Sequence, residues 1–350
     1  MKHLLTLGIA SLGGALLHLT QMPLAWLLGA MLLTALSSQF LKQLHVHKTL
    51  RLSATALLGT VVGALVNANI FSLLLKYAPS ITAMLCFQLL LVIVGTYFFL
   101  HRTSTSRLSA LLATYPGSIS QITALSLERT CDVQLIAMNH TSRLFVVISC
   151  IPLLITFVIG DFSASLPDTV NAVKTPDAVI NYAWPLGVAL LGFYSGKACH
   201  IMTPALFGPM LLAAILSVTG LTPDASTGKW LIPIAQIIIG ASIGLHFQHL
   251  NKHQWKRMLS IHLPYALILL TFTIISGWLL HIFLDIPFDS SLLIMAPGGL
   301  SEMVLIAFAL DIDPVMVTAH HVIRSLFGFL FIPWLMQFWA KPKNCEKKYT

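Results

Sequence analysis

The chain has 350 residues, 57% of them hydrophobic and only 9% charged, with a net charge of +8. A soluble domain carries roughly a quarter charged residues, so this composition excludes a soluble enzyme or binding module and reads as a polytopic membrane protein. The positive charge is spread over short loops, as cytoplasmic loops require, and forms no nucleic-acid footprint.

Lys2 precedes an apolar run, as in a signal peptide, but no small-x-small cleavage site follows and another apolar segment starts at once. The run is read as an uncleaved first span. Twelve apolar segments are predicted, at about 4–19, 22–38, 52–72, 79–100, 108–127, 134–159, 182–198, 204–220, 230–247, 260–284, 290–310 and 315–340. The second segment (PLAWLLGAML from Pro23) and the eighth (PALFGPMLL from Pro204) align at an offset of 179 through Gly29 and Gly208. The third and ninth share Gly59-xxx-Gly63 and Gly240-xxx-Gly244, 181 apart. Small residues four apart let helices approach closely, so packing is the expected role of these glycines.

The fifth and sixth segments contain YPGSISQITALSLERTCDVQLIAMNHTSR, Tyr115 to Arg143. The last two contain APGGLSEMVLIAFALDIDPVMVTAHHVIR, Ala296 to Arg324. Pro116 matches Pro297, Gly117 matches Gly298, Ser120 matches Ser301 and Gln121 matches Glu302, all at an offset of 181. Asp132 and Asp313, His140 and His321, Arg143 and Arg324, and Pro152 and Pro333 keep the same offset. Chance does not preserve one spacing across so many Pro, Gly, His and Arg positions, so the chain is a duplication. The expected organisation is a first membrane repeat over 1–160, an extracytoplasmic connector over 161–181, a second repeat over 182–340 and a basic cytoplasmic tail over 341–350.

Topology turns on the segments with the Pro-Gly breaks. If each dips in and returns on one side, each repeat crosses five times and the second repeat is inverted. With the N-terminus inside, the outer loops then hold only Lys76, Lys174 and Lys229, against 15 Lys and Arg inside. Full crossing of both segments lowers that split to 12 against 6. The positive-inside rule therefore favours an all-α membrane protein of two inverted repeats, each of about five transmembrane helices with one re-entrant or broken Pro-Gly segment. Both termini are expected in the cytoplasm. Arg143 and Arg324 each lie 11 residues past an acidic loop residue, roughly 16 Å along a helix and close to the bilayer midplane.

Broken helices free backbone N–H groups, and half-helix N-termini are partly positive. Pro116, Gly117, Ser118, Ser120 and Gln121, facing Pro297, Gly298, Gly299, Ser301 and Glu302, are thus expected to form an anion-friendly cavity with Arg143 and Arg324. Glu302 is the odd member, since its counterpart Gln121 is neutral; it either carries a coupling H+ or Na+ or pairs with Arg324. His140, His320 and His321 lie beside the arginines, as a proton relay or as buried hydrogen-bonding groups. His246, His249 and His253 are weak metal candidates on one helical face, read as solvated imidazoles because no carboxylate or cysteine completes the set. The five cysteines show no CxxC or framework spacing. No nucleophile elbow, P-loop or GxGxxG occurs.

The PGGLSEM and AHHVIR motifs, with the paired GAML and GPML segments, resemble the bacterial AbrB-type integral membrane proteins, the AbrB duplication. The likeness spans nearly the whole chain, although the first repeat has PGSISQ where the second has a PGG-type break. The resemblance implies a multi-pass protein of the bacterial cytoplasmic (inner) membrane, in a family labelled with regulation of gene expression or with ammonia monooxygenase activity. No small basic DNA-binding domain is visible, so regulation is expected to be indirect. A monooxygenase needs converging metal ligands, and arginines beside the candidate histidines repel a cation. The favoured expectation is a secondary transporter of a small anionic or zwitterionic solute, not an enzyme. Its expected partners are the lipid bilayer, the solute and a second copy of the chain, with no nucleic acid; no cofactor is expected beyond a coupling ion.

Overall fold

In hydrocarbon, each backbone N–H and C=O must be satisfied within the protein, and a helix does this inside one segment. The computed structural model describes residues 2–22, 24–41, 43–115, 122, 126, 131–159, 178–201, 203–221, 231–248 and 250–339. Among them regular structure is entirely helical, with no strand. The first half contains α1 (Lys2–His18), α2 (Ala25–Phe40), α3 (Lys48–Ala64), α4 (Ile70–Arg102), α5 (Arg107–Thr114) and α6 (Val133–Ile159). The second half contains α7 (Ala178–Ala198), α8 (Pro204–Val218), α9 (Leu231–Gly244), α10 (Lys252–Leu284), α11 (Phe288–Met295), α12 (Leu300–Ala309) and α13 (Pro314–Trp339). Helix α10 includes a π-helical turn over Met258–His262. Four helices, α4, α6, α10 and α13, are long and apolar enough to cross a membrane.

The helices repeat with the spacing of the sequence. Helices α5 and α11 each have 8 residues and start 181 apart. Helices α6 and α13 also start 181 apart, and α4 and α10 each run 33 residues, 182 apart. The loop before α2 places Gln21 and Leu24 at φ 53 and 55, and the loop before α8 places His200 and Thr203 at φ 53, an offset of 179. Few bulky residues adopt this left-handed conformation, so its recurrence marks one loop design used twice. Asp132 accepts from the Leu135 amide at 2.9 Å, and Asp313 accepts from the Val315 and Met316 amides at 2.9 and 3.3 Å. These carboxylates cap α6 and α13.

Three segments differ most from their predicted bounds, the tenth because it starts at Lys252, not about 260, on a capping box made by Asn251 and Gln254. The third ends at Ala64, not about 72, because the Asn67 side chain accepts from the Asn69 amide at 3.1 Å and turns the chain into α4. The fourth starts at Ile70, not about 79. Lys76 read as a loop residue and Pro79 as the first of the segment, but a proline removes only one helix donor, and apolar residues on both sides carry the helix through it.

The chain forms two compact units, one of residues 1–76, 152–250 and 304–318, the other of residues 77–151, 251–303 and 319–350. Each draws on both halves of the sequence. In the first unit, α3 packs on α8 and α9 packs on α2. Gly59 and Gly63 lie against the carbonyls of Leu206 and Met210, while Gly240 and Gly244 lie against those of Leu27 and Met31. The paired glycines are thus packing positions, where a Cβ would collide with a neighbouring backbone. Gly13 meets Gly29 and Gly192 meets Gly208 in the same way. Of the predicted connector over 161–181, residues 161–177 lie outside the described residues and 178–181 begin α7; the tail over 341–350 lies outside them too.

Leucine at Gly59 or Gly240 is therefore expected to lower stability by about 1–3 kcal/mol through overpacking. Gly187, with open space around it, should accept alanine with almost no change. Thermal unfolding of the detergent-purified variants checks this, and equal melting temperatures for all three would refute the close-packing account.

Candidate functional site

The second unit holds the groups that the sequence singles out. Helix α11 ends at Met295, and Ala296 is extended at φ −58, ψ 127. The residue before a proline is driven out of the helical region, and Pro297 has no N–H to donate. The helix resumes at Leu300 as α12. Tyr115, before Pro116, is extended in the same way at φ −64, ψ 131. Pro116, Gly117, Ser118, Ser120 and Gln121 lie outside the described residues.

The break frees carbonyls, and Arg324 takes them. Its Nη1 donates to the Ala296 oxygen and its Nη2 to the Gly298 oxygen, each at 2.5 Å. Arg143 occupies the equivalent place on α6 with different partners. Its Nη2 donates to His140 Nδ1 at 3.0 Å, and His140 Nε2 donates to the Leu112 carbonyl at 3.2 Å. Because Nδ1 accepts, the ring proton sits on Nε2. His321 bonds the Leu293 carbonyl through Nε2 at 3.1 Å, the same bond displaced by 181 residues. Its Nδ1 has no partner among the described residues, because Arg324 has turned to the break. The histidines are thus hydrogen-bonding supports for the arginines and the breaks.

A second pair of contacts joins the halves. Asn139 donates to the Ala113 carbonyl at 2.7 Å and faces His262 Nδ1 at 3.4 Å. Its counterpart His320 bonds Ser80 at 2.8 Å. Ser80 and His262 occupy equivalent places on α4 and α10, 182 apart, so each half supplies a partner to the other. Tyr115 likewise donates to the Gly328 carbonyl at 3.0 Å.

Arg143, Pro297 and Arg324 line one cavity of about 20 Å³. Its remaining wall is Thr114 and Met295 from the ends of the broken helices, Met84, Phe87, Gln88 and Leu91 from α4, and Leu269 from α10. Phe87 and Leu269, Thr114 and Met295, and Arg143 and Arg324 are pairs related by the repeat, so the cavity sits where the halves meet. Among the described residues no carboxylate lines it. Arg143 and Arg324 are 4% and 6% exposed, and the ion pair found among the described residues is elsewhere, Arg257 with Asp132 at 3.5 Å. Glu302 makes no ion pair with Arg324. Its Oε2 accepts from the Ser301 hydroxyl at 3.0 Å and lies over Gly299, at the start of α12 where the helix dipole favours a carboxylate.

Gln88 and Thr114 were not selected from the sequence. Gln88 carried a signal all the same: an amide near the centre of a 33-residue apolar helix is costly there unless it has a task. Of the weak metal candidates, His246 lies on the turn after α9 and His253 at the start of α10, while His249 is outside the described residues. Among the described residues no three His, Cys, Asp or Glu side chains converge.

The family model described as "Transition state regulatory protein AbrB" matches residues 26–340. The chain belongs to the AbrB family. A Bacillus subtilis (strain 168) relative, "Uncharacterized protein YhjN", is 24% identical over 95% of this chain and 92% of its own. An Escherichia coli (strain K12) relative, "Putative regulator AbrB", is 25% identical over 92% of this chain and 90% of its own. No solved structure matches the chain.

The unequal arginines of this AbrB-family protein make a test. His140→Leu strips an acceptor from a buried guanidinium, whereas His321→Leu removes a ring whose Nδ1 is already bare. The first is expected to cost about 1–3 kcal/mol more than the second. Paired thermal unfolding measurements decide it, and equal losses would contradict the asymmetry.

Proposed function

We propose that this AbrB-family protein is a secondary transporter of a small anionic or zwitterionic solute in the bacterial inner membrane. Two inverted repeats, each with a re-entrant or broken Pro-Gly segment, enclose its site near the midplane. The observation that carries this reading is the pair of buried guanidiniums, Arg143 and Arg324, lining one cavity with no carboxylate among the described residues of its wall. Two cations with no ion pair among the described residues, in a low-dielectric site, favour an anion strongly. Reciprocal contacts between the halves supply the framework, because a site shared by two inverted repeats lends itself to alternating access. Glu302, buried at the foot of α12 and outside the cavity wall, is assigned the coupling H+ or Na+.

The names of the family and of its Escherichia coli relative favour a second reading, a membrane protein that affects gene expression. Such an effect would be indirect, through the level of a transported solute or through a partner protein.

Detergent-purified protein is to be melted with small anions and amino acids, with and without sodium, across pH. A ligand at about a hundred times its Kd should stabilise wild type by about 2.7 kcal/mol and Arg324→Gln far less. In liposomes, Glu302→Gln should still bind but lose the dependence of uptake on the coupling ion. Unchanged melting with every solute would leave the regulatory reading in place of transport.

A further inference from the structure

The π-helical turn of α10, Met258–His262, ends on a fully buried histidine. Such turns recur at functional sites, because they re-aim the side chains around them. The tautomer of His262 follows from its neighbour. Asn139 donates through its amide nitrogen to the Ala113 carbonyl at 2.7 Å, so its oxygen faces His262 Nδ1, at 3.4 Å. Nδ1 therefore carries the ring proton, and Nε2 is an acceptor with no partner among the described residues. Arg257, just before the turn, pairs with Asp132 at 3.5 Å, and both side chains are partly exposed. Both charges lie close enough to act on His262.

The lack of partners continues inward. One turn on, Tyr265 is 1% exposed, and its hydroxyl has no partner among the described residues. Its ring and that of His262 both pack on Phe99, with centroids 5.0 and 5.6 Å away. Its hydroxyl lies beside Gly95 and Thr114, where a Cβ on Gly95 would meet both. Thr114 in turn lines the cavity. There Gln88 is bare at both amide atoms, and Arg143 at Nε. A buried polar atom left bare costs the hydration it gave up, so a run of them along one route calls for water. The cavity, at about 20 Å³, takes one or two waters, which complete Gln88 and Arg143.

We propose that this route is a hydrated proton path between the Asp132–Arg257 face and the cavity, with His262 as its relay. The proposal rests on the transport reading given above; it names the coupling ion as a proton and gives the face it uses. Asp132 also bonds Ser109 at the start of α5, so Arg107, Lys252 and Lys256 flank the same end. That end is cytoplasmic by the positive-inside rule. His262 takes a proton from one water at Nε2 and releases it from Nε2 to the next, while Nδ1–H stays on Asn139, so nothing is consumed. The second half does not repeat the route. The positions equivalent to His262 and Tyr265, 182 residues earlier, are Ser80 and Ala83. Ser80 is bonded to His320 at 2.8 Å, and the alanine side chain has no polar atom. In this conformation the path thus serves one face only, as alternating access requires.

The test uses the full chain in detergent and needs no substrate. Exchange of an imidazole Cε1–H for deuterium requires both water and a proton on the ring, and mass spectrometry reads it for each histidine. His140 is equally buried, with both ring nitrogens bonded, and is the internal control. His262 is expected to exchange at least roughly tenfold faster than His140. Hydroxyl radicals generated by X-rays from water in place probe the inner part of the route. Tyr265 should be oxidised at least roughly tenfold faster than Tyr115, which is as buried but donates to the Gly328 carbonyl. Equal rates at His262 and His140 would overturn the relay. A fast His262 with a Tyr265 as inert as Tyr115 would stop the water short of the cavity and overturn the path. Either result leaves the arginine site standing. The melting experiments judge that site separately: stabilisation by no solute would remove the transport that the proton serves, whatever the two rates.

Discussion

A guanidinium held in an apolar interior needs acceptors, and an unbroken helix has none to spare, because its carbonyls are already bonded one turn ahead. This constraint ties α13 to the Pro-Gly-Gly stretch. Pro297 removes a donor and pushes Ala296 into an extended conformation, so the carbonyls of Ala296 and Gly298 leave the helical ladder. Arg324 then collects both. Neither partner is comfortable alone: the break would leave the Ala296 carbonyl with only the Gly298 amide and the Gly298 carbonyl without its donor, and the arginine would be an unsatisfied charge. The duplicate half solves the same problem with a histidine, since His140 accepts from Arg143 and passes its own proton to the Leu112 carbonyl.

The framework around that solution is built for a medium that gives helices little hydrophobic reason to associate. Close backbone contact takes over that role. The glycines of α3 and α9 let carbonyls of α8 and α2 approach, and each pairing joins one half of the sequence to the other. The hydrogen bonds around the cavity repeat this logic, Asn139 with His262 and Ser80 with His320. A half-chain folding by itself would lose both sets of contacts, which explains why the compact units cut across the repeats.

Much of this was legible before the structure. The offset of 181 predicted equivalent helices, and the bonds of His140 and His321 to Leu112 and Leu293 follow it. The arginines stood out because charge at membrane depth is expensive. What escaped notice had physical reasons. Lys76 and Pro79 disguised the start of α4, since helix propensity in water says little about a segment that must satisfy its backbone internally. Gln88 escaped because a neutral amide in an apolar run carries no periodic signal; its depth in a long apolar helix was the one cue. Glu302 was placed on the cavity by its match to Gln121, yet its side chain turns back over Gly299 toward its own helix end. Position in a repeat fixes where a residue sits along a helix, but not which way a flexible side chain turns.

The two halves diverge around the cavity. Gln88 answers Leu270, Thr114 answers Met295, Asn139 answers His320, and Gln121 answers Glu302. If the halves were identical in sequence, an unsymmetrical solute would meet the same groups from either side and have two equivalent ways to bind. Each polar residue kept on one side and replaced by an apolar one on the other removes part of that degeneracy. The substitutions spare the residues that hold the frame, such as the packing glycines, the capping Asp132 and Asp313, and the two arginines. Some fall on the cavity wall, at Gln88 and Thr114, and others on the contacts between the halves, at Asn139 and His320. The duplicated scaffold thus keeps its packing and its arginines while the polar groups of the cavity wall, Gln88 and Thr114, stand on one side of it.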